Sequence, residues 1–269
     1  MDKLNQWYDL SGRVAFLTGA AGFIGPSYAR ALAERGASVV VVDVEQEKCE
    51  RVASDLRQQY GGRVTPLSLD VANAAAVKDA VGRVMDEYGR LDILINNAAF
   101  HQLSHIKGGN EATLENFPLD VWQKTIDVNL TGALICSQEA GRIMLQQKAG
   151  VMLNVASVYG VVAADQRIYG NSGLNSNVAY AVTKGGLVQF TRYLAAYWQG
   201  QNIRVNSLSP GGVFNNQSEE FLKNYTYKTM LGRMATLDDL TAAMLYLVSD
   251  ASAFVTGFNM VVDGGWTAW

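Results

Sequence analysis

Cysteine is scarce in this chain. Two residues, Cys49 and Cys136, serve 269 positions, and neither has partners at a metal-ligand or redox spacing. That scarcity argues against a disulfide or zinc framework: no metal site is expected, and both thiols read as buried helical residues in a reducing cytoplasm. An excess of basic charge is also missing. With 22 Lys and Arg against 25 Asp and Glu, the formal charge is −3, which leaves no basic surface for nucleic acid or anionic membrane, so the expected partner is a small molecule. Long apolar runs are absent as well. The most continuous, residues 37–44, is interrupted by Ser38 and Asp43 and reads as a buried strand, not a membrane span. The opening Met1-Asp2-Lys3-Leu4-Asn5-Gln6 holds no apolar core of a secretory signal, and a cytoplasmic location is expected. Linkers, repeats and low-complexity stretches do not occur, which assigns residues 1–269 to one domain.

What is there is enough apolar residue for a sizeable core, at 49% hydrophobic and 17% charged. Apolar runs rich in β-formers alternate with longer segments of helical period. Seven strands are expected, at 13–18, 38–43, 63–70, 91–96, 150–156, 203–208 and 258–262. Val39-Val40-Val41-Val42 is apolar on both faces, as in a parallel sheet covered by helices on each side. The fold class is therefore doubly wound α/β, a Rossmann-type seven-stranded parallel sheet. Three connections are long, at 99–117, 157–177 and 209–236. Each follows a strand, which places them at the carboxyl edge where such sheets bind ligands.

Thr18-Gly19-Ala20-Ala21-Gly22-Phe23-Ile24-Gly25 follows the first strand and opens the first helix. Glycines there let backbone approach a pyrophosphate, and the helix amino terminus offers free N–H groups and a favourable dipole. The alternative is a glycine-rich turn without a ligand. Asp43 ends the second strand, where a carboxylate can pair both adenosine ribose hydroxyls and repel a 2′-phosphate; with no Lys or Arg in the turn and Val44 next, NAD is preferred over NADP. Asp43 as a plain cap of the next helix remains the other reading.

Tyr180-Ala181-Val182-Thr183-Lys184 puts a phenol and an ammonium one helical turn apart on one face. It is the single Tyr-x-x-x-Lys pair in the chain. It opens a helix after the fifth strand, which ends Asn154-Val155-Ala156-Ser157.

The glycine turn, Asn96-Asn97-Ala98-Ala99, Asn129, Ser157 and the Tyr180/Lys184 pair occur in the order found in short-chain dehydrogenases. The chain resembles the single-domain branch of that short-chain dehydrogenase/reductase family over roughly residues 10–266, and is broadly similar to gluconate 5-dehydrogenase-like sugar and polyol oxidoreductases. The resemblance implies an NAD-dependent enzyme acting on CH–OH groups. Tyr180 would exchange a proton with the substrate, Ser157 would hold the substrate oxygen, Lys184 would bind the nicotinamide ribose and favour the phenolate, and Asn129 would hold a relay water. Gly19, Ala21, Gly22, Phe23, Ile24, Asp43, Tyr180 and Lys184 are the expected cofactor residues. They are joined by Asp70 and Val71 at the adenine, Asn97, and Val213 in the nicotinamide-side loop after Pro210-Gly211. Asp70 as a helix cap stays open.

The chain departs from the family at four places. Phe23 stands at a usual glycine, Ala99 replaces another, and Asn215 occupies a common threonine position. From Ser157 to Tyr180 is 23 positions, longer than usual, so the intervening loop carries an insertion. Tyr169 sits nearer the customary distance, but its i+4 residue is Gly173, and without a lysine it cannot take the role of Tyr180. His101, Gln102, Ser104, His105 and Lys107 in the first loop suggest a hydroxyl-rich substrate: a sugar, sugar acid or polyol. So do Asp165, Gln166, Arg167, Asn171, Ser172, Asn175 and Asn177 in the second, with Arg167 available for a carboxylate. The competing functions are a 3-oxoacyl reductase and a non-catalytic NAD-binding regulator. Phe254, Phe258, Trp266 and Trp269 near the carboxyl terminus suggest a homotetramer or homodimer.

Overall fold

The computed structural model describes residues 3–101, 113–172 and 174–269. Its strands are β1 (Val14–Thr18), β2 (Ser38–Asp43), β3 (Val64–Ser68), β4 (Ile93–Asn96), β5 (Gly150–Val155), β6 (Ile203–Pro210) and β7 (Asn259–Val262). All pair in parallel in the spatial order β3-β2-β1-β4-β5-β6-β7. The helices are α1 (Lys3–Trp7), α2 (Gly25–Glu34), α3 (Gln46–Tyr60), α4 (Ala74–Tyr88), α5 (Leu119–Ile126), α6 (Gly132–Gln147), α7 (Val178–Tyr197), α8 (Glu219–Lys228) and α9 (Leu237–Val248).

Successive strand residues point to opposite faces, so an all-apolar strand feeds two cores. Ala15, Leu17, Val39 and Val41 pack with residues of α2, α3 and α9. Val14, Phe16, Val40 and Val42 pack against α4, α6 and α7. Both cysteines are free and buried, Cys49 on α3 and Cys136 on α6. Among the described residues, no helix is long and apolar enough to cross a membrane.

Strand order reverses between β1 and β4, and their carboxyl ends open the crevice that such sheets use for ligands. Reciprocal hydrogen bonds hold this edge. Thr18 Oγ1 accepts from the backbone N–H of Asn97 (3.0 Å) and Ala98 (3.1 Å), while Asn97 Nδ2 donates to the carbonyls of Thr18 (3.1 Å) and Gly19 (2.9 Å). Below it, Asn96 Nδ2 donates to Asn154 Oδ1 (2.9 Å) and Ser137 Oγ (3.1 Å), and Asn154 Nδ2 to Thr191 Oγ1 (2.9 Å), joining β4, β5, α6 and α7.

The long connections hold more order than a loop reading allows. The third contains α8, whose Phe221 and Tyr225, one turn apart, join Ile168, Tyr169, Met234 and Trp266 in a separate apolar cluster. The second folds into two 3-10 turns, Val158–Gly160 and Gln166–Tyr169. Of the first, Gln102, Ser104, His105 and Lys107 lie outside the described residues. Trp266 is 5% exposed and stacks on Tyr225 at 4.4 Å, so it is a core residue and not an interface anchor.

Candidate active site

A cavity of about 820 Å3 lies along the carboxyl edge of the sheet, from the glycine turn to the head of α7. At one end, Gly19, Gly22, Phe23, Ile24, Asp43, Asp70, Val71 and Asn97 line it. Gly19 has φ +62°, and a Cβ there would stand 2.7 Å from the Ala98 Cα, so no larger residue fits this turn without moving the segment that follows β4. Asp43 accepts from the N–H of Ala21 (3.0 Å) and of Val44 (2.8 Å), fixing its carboxylate between the turn and the second strand. It does not cap α3, whose N-cap is Glu45. Nor does Asp70 cap α4: Asn73 does so, through Ala76 N–H (3.1 Å), while Asp70 accepts from Ala72 N–H. Ala21 is the one expected cofactor residue of the turn that is absent from the cavity wall, its N–H being spent on Asp43.

At the other end, Ser157, Tyr180, Lys184 and Val213 line the same cavity. Asn177 caps α7, its Oδ1 accepting from Ala179 (2.7 Å) and Tyr180 (3.2 Å) N–H, which sets Tyr180 in the first turn. Lys184 follows one turn later, with Nζ donating to the Val155 carbonyl (2.6 Å) and lying 5.4 Å from the Tyr180 ring centre. It is 3% exposed, and burial pushes its pKa down to about 8. Burial raises the Tyr180 pKa, opposed by a hydrogen bond from Ser157. Burial, not Lys184, sets the direction of this shift. The His101 ring meets that of Tyr180 at a tilt of 47° with centres 4.3 Å apart, and burial followed by repulsion from Lys184 lowers its pKa to about 4.

Two sets of expected site residues stand back from the cavity wall. Asn129 is one. It sits in a π-helical turn, Asp127–Thr131, with Oδ1 accepting from Phe100 N–H (2.6 Å) and Nδ2 donating to the Phe100 carbonyl (3.2 Å) and Thr183 Oγ1 (3.1 Å). Its side chain positions the segment after β4 that carries Phe100 and His101. The second loop's polar residues also stay out of the cavity. Arg167 has its side chain 88% exposed and bonded to Asp165 (2.8 Å), which also pairs with Lys228. Gln166 bonds the backbone of Ser176.

What faces the catalytic end instead is Tyr159, Tyr169, Phe221, Tyr225 and Met234. All five lie on the second and third long connections, which the alternation of strands assigns to this edge, though composition singles out the polar residues there and not these. The spacing of Phe221 and Tyr225, i and i+4 in a segment taken for loop, was the signal available.

Residues 19–267 match the family model described as enoyl-(acyl carrier protein) reductase. The chain is similar to D-threitol dehydrogenase of Mycolicibacterium smegmatis, at 36% identity over 97% of this chain and 95% of that protein. It is also similar to 3-oxoacyl-(acyl-carrier-protein) reductase of Thermotoga maritima, at 32% identity over 95% and 98%. Among solved structures it is similar to a gluconate 5-dehydrogenase from Burkholderia cenocepacia in complex with NADP and tartrate, with TM-score 0.88, 31% identity and 99% of each chain covered. A short chain dehydrogenase from Leptospira borgpetersenii with bound NAD+ gives TM-score 0.85 and 33% identity over 99% of this chain and 96% of that one.

Proposed function

The chain belongs to the short-chain dehydrogenase/reductase family, and from that premise we propose that it interconverts a secondary alcohol and its ketone on a polyhydroxylated small molecule, with NAD as cofactor. The observation that carries this reading is the joining, in one cavity, of Asp43 and the glycine turn to Ser157, Tyr180 and Lys184. The bare turn at Gly19 and Gly22 and the fixed carboxylate of Asp43 suit a dinucleotide. Asp70, Val71 and Asn97 would border its adenine half, and Tyr180, Lys184 and Val213 its nicotinamide half. When bound, the nicotinamide supplies the hydride acceptor or donor.

The chain's own residues handle the oxygen and its proton. Ser157 donates to the substrate oxygen and to Tyr180 in turn, and Tyr180 takes the alcohol proton in oxidation or returns it in reduction. Lys184, charged at neutral pH and held by Val155, favours the phenolate once its charge is joined by that of the oxidised cofactor. A water relay at Asn129 would have to use the backbone carbonyl, because the side chain is committed to Phe100 and Thr183.

NAD is favoured because the lysines on the cavity wall, Lys124 over the Phe100 ring and Lys184 at Val155, belong to the catalytic end. None stands beside Asp43 to meet a 2′-phosphate. Absorbance of NADH across a panel of polyols, sugars, sugar acids and a 3-oxoacyl thioester tests the assignment. NAD should exceed NADP by about tenfold or more in kcat/KM, and Asp43→Ala should narrow the gap. Parity with NADP, or preference for the thioester, would overturn it; no turnover of any substrate would favour a binding protein.

The reading extends to one cytoplasmic domain that assembles as a homotetramer or homodimer. Phe254, Trp269 and Phe258 are 105%, 80% and 49% exposed in the single chain, and aromatics are costly to leave in water. Sedimentation at micromolar concentration should give a dimer or tetramer; a monomer refutes the assembly.

A further inference from the structure

The inserted segment between Ser157 and Tyr180 does more than lengthen a loop. It carries Tyr169, 8% exposed, into the wall of the catalytic cavity. The segment is fastened along its length. Its base is closed by Ser176 N–H donating to Gln166 Oε1 (2.7 Å). Asp165 pairs with Lys228 on α8, and Asn224 Nδ2, also on α8, donates to the Ile168 carbonyl (3.3 Å). The Tyr169 ring meets that of Phe221 at 5.4 Å, and Ile168 is 2% exposed. Tyr169 is thus set in place before any ligand arrives, and a preorganised group loses little entropy on binding.

The chemistry of this wall is narrow. Tyr225 Oη accepts from the Gly212 N–H, which ties it to the loop after β6. Tyr159 and Tyr169 line the same cavity wall as Tyr180, and each phenol carries one O–H to donate and lone pairs to accept. Phe221 and Met234 complete the surface, and no charged side chain is among these five. Asp165, Arg167 and Lys228 satisfy one another outside the cavity, and the other charged residues of α8, Glu219, Glu220 and Lys223, are likewise absent from its wall.

Resting on the dehydrogenase reading above, we propose that Tyr169, with Tyr159, forms a neutral hydroxyl-reading subsite that selects uncharged polyols against the corresponding carboxylates. A second substrate hydroxyl finds two phenols on the wall it shares with Tyr180, whereas a carboxylate placed there is desolvated against rings, the lysines of this end among the described residues being held elsewhere, Lys124 over the Phe100 ring and Lys184 at the Val155 carbonyl. Sugar acids are the disfavoured branch of the polyhydroxylated class.

The test compares a tetritol, the matching tetronate and butan-2-ol as substrates, with NAD, for the wild-type chain, Tyr169→Phe and Tyr159→Phe. The wild type should prefer the tetritol to the tetronate by about tenfold or more in kcat/KM. Tyr169→Phe keeps the ring against Phe221, and thermal melting checks that the fold survives. It should lower kcat/KM for the tetritol about tenfold more than for butan-2-ol, chiefly through KM and with kcat nearly held. Tyr159→Phe should act in the same direction and more weakly. Equal effects on tetritol and butan-2-ol, or a wild-type preference for the tetronate, overturn the subsite while leaving the dehydrogenase reading intact. If no alcohol yields NADH, the dehydrogenase reading fails and the subsite falls with it.

Discussion

Tyr180→Phe should abolish turnover while leaving NADH binding within a few-fold of the wild type. The substitution removes one oxygen and almost no volume, at a position whose backbone is fixed by the Asn177 cap. General acid–base catalysis contributes about 10^2- to 10^4-fold to rate, and kcat should fall by an amount in that range. Binding should persist, because the glycine turn, Asp43 and Lys184 are untouched; fluorescence titration with NADH measures it. Tyr169→Phe is the informative control. Tyr169 lines the same cavity, but burial raises its pKa and its i+4 position holds a glycine, so no ammonium stands one turn along to favour its phenolate. Near-normal kcat in Tyr180→Phe together with loss of kcat in Tyr169→Phe would exchange the roles of the two tyrosines. Raised KM in Tyr169→Phe and collapsed kcat in Tyr180→Phe is the expected pattern.

What could be read in advance was whatever is decided within one strand or one turn of helix. The run Val39-Val40-Val41-Val42 announces a strand buried on both faces because pleating exposes no polar residue on either side. Tyr180 and Lys184 share a face because four residues make about one helical turn. Asp43 falls at a strand end next to the glycine turn because β1 and β2 pair in parallel, Thr18 opposite Val42. Where side chains are claimed by distant partners, local pattern misleads. Arg167 looked available for a substrate carboxylate, but Asp165 two residues earlier takes its guanidinium and the 3-10 turn holds both outward. The side chain of Asn129 is taken by Phe100, 29 positions away. Trp266 reads as an interface residue until α8 places Tyr225 under it. For Asn129 and Trp266 the deciding contact joins segments far apart in the chain, whereas for Arg167 it lies two residues away in a 3-10 turn; composition and period encode neither.

Phe23 illustrates the intermediate case. Its place in the turn was legible as a departure from the family glycine, and the turn still delivers Gly25 to the start of α2. The side chain is 45% exposed and stands on the cavity wall, so the substitution adds an apolar surface to the cofactor end without displacing Gly19 or Asp43. The altered geometry is outward, where there is room.

Lys184→Met should stabilise the chain at neutral pH by a margin that shrinks as the pH rises and, at the same time, inactivate it. Lys184 is buried with one carbonyl partner, and burial holds its pKa at about 8, below the ordinary lysine value of 10.5. A basic group with a depressed folded pKa binds fewer protons folded than unfolded between those two values, so its contribution to stability rises with pH across that window. Below about pH 8 the full cost of burying the ammonium is borne, and a displacement of this size corresponds to roughly 3 kcal/mol. Methionine fills a similar volume without charge, and offsets the lost bond to Val155 only in part. The quantity to measure is the difference in unfolding free energy between variant and wild type at pH 7 and at pH 9.5. Burial also raises the pKa values of Cys49 and Cys136, to about 11 and about 12, and such groups destabilise the fold as pH climbs past their unfolded values. They do so equally in both proteins and cancel in the difference. The advantage of the methionine variant should be largest at pH 7 and shrink by pH 9.5, while kcat/KM collapses at both. A difference that stays constant with pH would mean that Lys184 does not carry its charge into the fold. Retained activity would remove it from the proton path.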